Sequence, residues 1–157
     1  ISWQVSPLLA DIITMLMLIP PLLFSLVQLT PYDAIKAKDG KACADAFNNA
    51  IEENIRVECR EMLAPIVSAI RYAENGGKGR EYGILHKRVK PTYRSQAGWC
   101  SATVQKNYDR WVKAGSRGGF ISFLGSRYCP IGAENDPNGL NAHWINNVTH
   151  YAKQHRG

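Results

Sequence analysis

The longest apolar run comes first. Leu8 to Leu29 spans 22 residues with one charge, Asp11. At about 1.5 Å of rise per helical residue, it reaches across a hydrocarbon layer of about 30 Å. Pro20-Pro21 interrupts it midway, a kink that membrane helices tolerate. Trp3 and Tyr32 stand where interface anchors belong. The pattern predicts a membrane-spanning or anchoring segment over residues 1–31. A buried helical hairpin broken at the prolines is the alternative. A signal peptide would need a basic start and a small-residue cleavage site, and neither is present. Ile1 in place of Met points to a processed chain or a fragment.

The pattern then changes character. Residues 32–40 are polar and mixed in charge, and read as a connector. From Lys41 to Leu63, apolar residues recur every three or four positions (Cys43, Phe47, Ile51, Ile55, Cys59, Met62), which predicts one amphipathic helix. Ala64-Pro65 should end it and open a second, more apolar helix reaching Glu74. Asn75-Gly76-Gly77 is a stop signal. Glu81 opens a short β-like run, Tyr82 to Leu85, followed by a basic loop, His86 to Arg94. Ser101 reads as the N-cap of a helix ending near Gly115, and Phe120 to Tyr128 as a short apolar helix. Pro130 to Gly139 reads as a loop whose acids cap a last helix, from about Leu140 to His155. The expected fold class is mainly α with a very small β element, its folded domain covering residues 41–157.

Two acids seven residues apart, Glu74 and Glu81, thus flank a glycine turn. Paired carboxylates in different environments are the machinery of glycoside cleavage: one protonates the leaving oxygen, the other stabilises or attacks the sugar cation. An acid packed among apolar groups keeps its proton near neutral pH, and a solvated one does not.

The residues around both acids resemble a known family. Ala73-Glu74-Asn75-Gly76-Gly77 resembles the A-E-S-G-G helix end that carries the catalytic acid of lysozyme-like enzymes. Glu81-Tyr82-Gly83-Ile84-Leu85 is similar to the D-Y-G-I-L run of animal-type lysozymes and the G-L-M-Q run of lytic transglycosylases. Asn75 replaces the usual Ser, His86 stands where Gln is expected, and the loop between the acids is shorter than in animal lysozymes. The resemblance implies a lysozyme-like fold and cleavage of the peptidoglycan glycan strand. Glu74 would be the general acid and Glu81 the second carboxylate. If Glu81 does not face the cleft, a lytic transglycosylase, which works with one acid/base Glu, is the better match. Tyr82, Gly83, His86, Tyr93, Gln96, Trp99, Tyr128 and Asn135 are the candidate sugar contacts, exposed aromatics being stacking surfaces for sugars.

Composition fits this picture. Of 157 residues, 45% are hydrophobic and 20% charged, enough for a packed domain. The net charge is +6, and since residues 1–31 hold only Asp11, the rest carries nineteen basic against twelve acidic residues. A basic body suits an anionic partner such as cell wall or lipid headgroups. With no block of five basic residues, nucleic acid is not expected as a partner. The expected location is a membrane anchor facing the wall, or a phage virion among other envelope or virion proteins.

Four cysteines permit three pairings. Cys43 and Cys59 on one helix would lie about 24 Å apart, beyond disulfide reach. No Cys-x-x-Cys or His-x-x-x-His spacing occurs, so no metal is expected, and no cofactor. Gln96 to Cys100 offers a competing reading, a cysteine-type wall peptidase with Cys100 opening a helix and His143 or His150 as base. A non-enzymatic, membrane-tethered or virion component with the same body is a third reading. Asn147-Val-Thr149 matches the glycosylation triplet but falls in an expected helix.

Overall fold

A computed structural model describes residues 28–74, 76–134 and 136–157. Six α-helices and one 3₁₀ turn make up the regular structure, with no strand among the described residues. The helices are α1 (Pro31–Asp39), α2 (Lys41–Asn54), α3 (Arg60–Ala73), α4 (Tyr93–Lys113), α5 (Phe120–Tyr128) and α6 (Asn141–Gln154). The mainly α expectation holds. The apolar run from Leu8 lies almost wholly outside the described residues. Within them, no helix is long and apolar enough to cross a membrane.

Helix α3 is the centre of the packing. Leu63, Ile66, Val67, Ala69 and Ile70 are buried along it, and α6, α4 and α1 all pack against it. Helix α2 lies on α4, closing the core over Phe47, Ile51 and Val104. The short α5 bridges α4 and α6 through Leu124 and Trp144.

Four expectations need correction. The stretch 32–40 is no connector. It forms α1, capped by Thr30, whose hydroxyl accepts from the Asp33 amide. Ala34 and Ile35 are fully buried, and Asp39 holds Arg71 of α3 through two hydrogen bonds of 2.8 and 2.7 Å. A mixed-charge composition concealed a helix whose buried stripe is only two residues wide.

The helix expected over Lys41–Leu63 is two. Ile55 takes extended backbone and ends α2, the 3₁₀ turn Val57–Cys59 follows, and α3 begins at Arg60. Arg60 supplies the cap, donating to the Ile55 and Glu52 carbonyls at 3.1 and 3.0 Å. The apolar period runs unbroken through the bend, because Ile55 and Cys59 both still reach the core. Pro65 therefore falls inside α3 rather than at its start, where it removes one ladder bond.

The β-like run Tyr82–Leu85 is irregular. Its backbone partner is a side chain: Gln96 Oε1 accepts from the Tyr82 and Ile84 amides, both at 3.3 Å, and its Nε2 donates to the Ile84 carbonyl at 2.9 Å. One buried amide does the work of a neighbouring strand. Finally, α4 starts eight residues before the expected cap. Thr92 caps it, and Ser101 lies fully buried in its interior.

The first and last described segments lie side by side. The Leu29 amide donates to the Gln154 carbonyl at 3.2 Å, and Gly157 packs beside Thr30.

Candidate functional site

Glu74 is the residue that ends α3. Its amide still closes the last turn onto Ile70, but its own backbone is extended (φ −83°, ψ 129°). That turns the side chain out of the helix line and across Gly83. Gly83 has φ +68°, and a Cβ there would lie 2.5 Å from Glu74 Oε2. No other residue type fits at position 83 with the carboxyl group in this place. On the opposite side, Trp144 Nε1 of α6 donates to Glu74 Oε1 at 3.0 Å. Burial raises the proton affinity of Glu74 above the ordinary carboxylate value, and the Trp144 hydrogen bond opposes the rise without cancelling it. Its seat at a helix C-terminus acts in the same direction as burial.

Two cavities meet at this carboxyl group, of about 530 and 280 Å³. Both are lined by Glu74, Cys129 and Asn141. The larger runs along α6 past Asp136, His143 and Asn147. The smaller runs past Arg80, Gly83 and Tyr128. Tyr128 is fixed there by its hydroxyl, which donates to the Tyr82 carbonyl, and by stacking on Trp144 (centroids 5.3 Å apart, planes 24° apart). Leu85 and Leu140 form an apolar rim, 65% and 67% exposed. Asp136 is the other carboxylate in the lining, and it is occupied: its oxygens accept from the Leu140 and Asn141 amides at 2.8 and 3.1 Å. It caps α6, the role expected for an acid of that loop.

No protein-family model, curated protein or solved structure matches the chain.

The other expected contacts separate into three groups. Gly83 and Tyr128 line the Glu74 cavities. Glu81, Tyr82, Tyr93 and Gln96 stand behind them as framework. Glu81 is 7% exposed and lines neither Glu74 cavity; its Oε1 accepts from the Gly79 amide at 2.8 Å, and its Oε2 is buried with no partner among the described residues. Tyr82 and Tyr93 form a buried chain of hydroxyls, 3.1 Å apart, with Tyr93 donating to Asp39 at 3.0 Å. Gln96 clamps the 82–84 backbone, as described. His86 and Trp99 lie elsewhere, stacked on each other at 5.0 Å, and Trp99 lines a different cavity. Asn135 lies outside the described residues.

Cys100 lacks the setting that a nucleophile needs. It sits inside α4 rather than at its N-terminus, is fully buried, and burial pushes its thiol up to about 12. Its partner is the Tyr128 hydroxyl, not a histidine. All four cysteines are free thiols. With Cys43 and Cys59 on separate elements, the single-helix distance no longer applies to them.

Sequence reading missed Trp144, Cys129 and Asn141. Trp144 was legible only as a core residue on the apolar face of α6, and its ring is indeed buried. Its indole N–H meets Glu74 from 70 positions away. The ensemble is a carboxylic acid inclined to hold its proton, at the junction of a bent furrow, with a fixed donor behind it.

Proposed function

We propose that the protein cleaves the glycan strand of peptidoglycan with Glu74 as its single acid/base, in the manner of a lytic transglycosylase. One observation carries the reading: Glu74 lies at the meeting point of two cavities, with its proton affinity raised by burial, while Glu81 is turned away from both. The motifs around Glu74 and Gly83 support the wall polymer as substrate. The bent furrow accepts sugars on either side of the scissile bond.

The steps follow from one group changing state. Protonated Glu74 gives its proton to the glycosidic oxygen as the bond from that oxygen to the anomeric carbon breaks. The 6-hydroxyl of the same sugar closes onto that carbon, and its proton returns to Glu74. The products are a 1,6-anhydro end and a free 4-hydroxyl, with no net proton change. Trp144 steadies the carboxylate between the two transfers.

The test is digestion of purified peptidoglycan by the full chain beside Glu74→Gln. The parent is expected to release soluble fragments with anhydro ends. The variant should lose about a thousand-fold or more in rate, the scale of a missing general acid. Reducing ends would assign a hydrolase with water as the acceptor. Cut peptides on an intact glycan would transfer the activity to a peptidase.

A further inference from the structure

We propose that the groove between α2 and α4 is a second, non-cleaving binding surface for an anionic wall glycan. It rests on the wall polymer being the protein's ligand, the part of that reading that does not need cleavage, and it shares no lining residue with the Glu74 cavities.

Two cavities of about 540 and 410 Å³ share Asn54 and Ala102 and so form one groove. From α4 it takes Trp99, Ala102, Lys106, Arg110 and Lys113. These recur every three or four residues and therefore lie on one helix face. The distance from Trp99 to Lys113 along the axis is about 21 Å, at about 1.5 Å per residue. The lining holds five cations and two carboxylates. Both carboxylates are already taken, Glu53 by Arg94 and Asp109 by Arg56. Lys90, Lys106, Arg110 and Lys113 have no carboxylate partner among the described residues.

The occupant follows from this charge density. Double-stranded DNA carries one charge per about 1.7 Å of axis, far denser than the net two positive charges of Lys106, Arg110, Lys113 and Asp109 along the about 21 Å from Trp99 to Lys113. A wall glycan whose carboxylates sit on short peptides, spaced along a neutral sugar backbone, fits better. Asn54, Thr92 and Ser95 line it beside the cations; each makes one backbone hydrogen bond, and the Asn54 amide oxygen and the two hydroxyl protons remain for a sugar. Trp99, held flat against His86, offers a sugar an aromatic wall. Gly98 adds a second, independent observation. It sits inside α4, where glycine weakens a helix. Yet a Cβ there would meet only Asn54 Nδ2, at an ordinary 3.8 Å. Packing does not require this glycine; its effect is to leave the groove floor open beside Trp99.

The test uses the full chain with Glu74→Gln, so that binding is read without cleavage. Its co-sedimentation with peptidoglycan sacculi stripped of attached polymers is measured at rising salt. Lys90→Gln, Lys106→Gln and Lys113→Gln together should weaken binding about ten-fold and flatten its salt dependence. Gly98→Gln should weaken it with the charge unchanged. Both sets should melt like the parent, and with Glu74 restored they should cut short soluble glycan fragments at the parental rate. Sacculus binding equal to the parent's in both sets would overturn the proposal. Tighter binding to a single-stranded oligothymidylate than to sacculi, lost in the same variants, would overturn it in favour of nucleic acid. If Glu74-intact protein cuts no glycan while the groove variants still lose sacculus binding, the cleavage reading fails and this one stands.

Discussion

The proton on Glu74 is governed by two opposed neighbours. Burial favours the neutral acid, and the Trp144 N–H favours the carboxylate. Trp144→Phe keeps the stack on Tyr128 and removes the donor. The proton affinity of Glu74 then rises further. Because the acid must begin protonated, the alkaline limb of the pH–rate profile is expected to move to higher pH. Rate measurements across that limb, parent against variant, check the direction, and an unmoved limb would sever Trp144 from the proton. Glu74 itself was legible in the sequence, because an apolar helix followed by two glycines puts the carboxylate at the helix end. Gly83 was legible as a motif residue, but not for its reason, which is the 2.5 Å approach of Glu74 Oε2. Glu81 read as the second carboxylate, on condition that it faced the cleft. Only the fold shows that its Oε1 turns back on Gly79, since a loop's direction depends on what packs behind it rather than on its own residues.

Helices with one wide apolar stripe announced themselves, and elements defined by polar side chains did not. α5 and α6 lie where their periodicity put them. α1 was hidden by its narrow stripe, and the bend between α2 and α3 by a period that continues through it. In both places the deciding groups are polar: Asp39 with Arg71, and Arg60 with the end of α2. Gln96 is the same kind of residue. It holds the 82–84 segment, and with it Gly83 and the floor beneath Glu74. Gln96→Leu leaves the buried Tyr82 amide and the half-buried Ile84 amide and carbonyl without their partner. The expected loss is about 2–4 kcal/mol of stability, read as a lowered midpoint in urea unfolding. Activity should fall further than stability alone explains, because Gly83 would no longer be held against the acid.

At the scale of the molecule, the end of α6 is fastened to α3 by a pair remote from the furrow. His155 is 2% exposed, its Nδ1 lies 2.9 Å from the buried Ser68 hydroxyl, and its ring packs against Tyr72. Burial holds its proton affinity down to about 4, against an ordinary value of 6.5. Between those values the unfolded chain binds a proton that the folded one refuses, so stability rises with pH across that window. It is complete above about 6.5 and lost as pH falls toward 4, with a total of about 3.5 kcal/mol at about 1.4 kcal/mol per unit. Urea unfolding at a series of pH values should show this slope, and His155→Phe should remove it. The neighbouring contact between Leu29 and Gln154 has a different consequence. The polypeptide from Leu29 to Gly157 is a ring with one bond missing. Its helix pairings do not depend on which residue is made first. A short linker closing that gap, with new ends opened in the exposed turn at Ser116–Gly119, would give a circular permutant that keeps every pairing around α3.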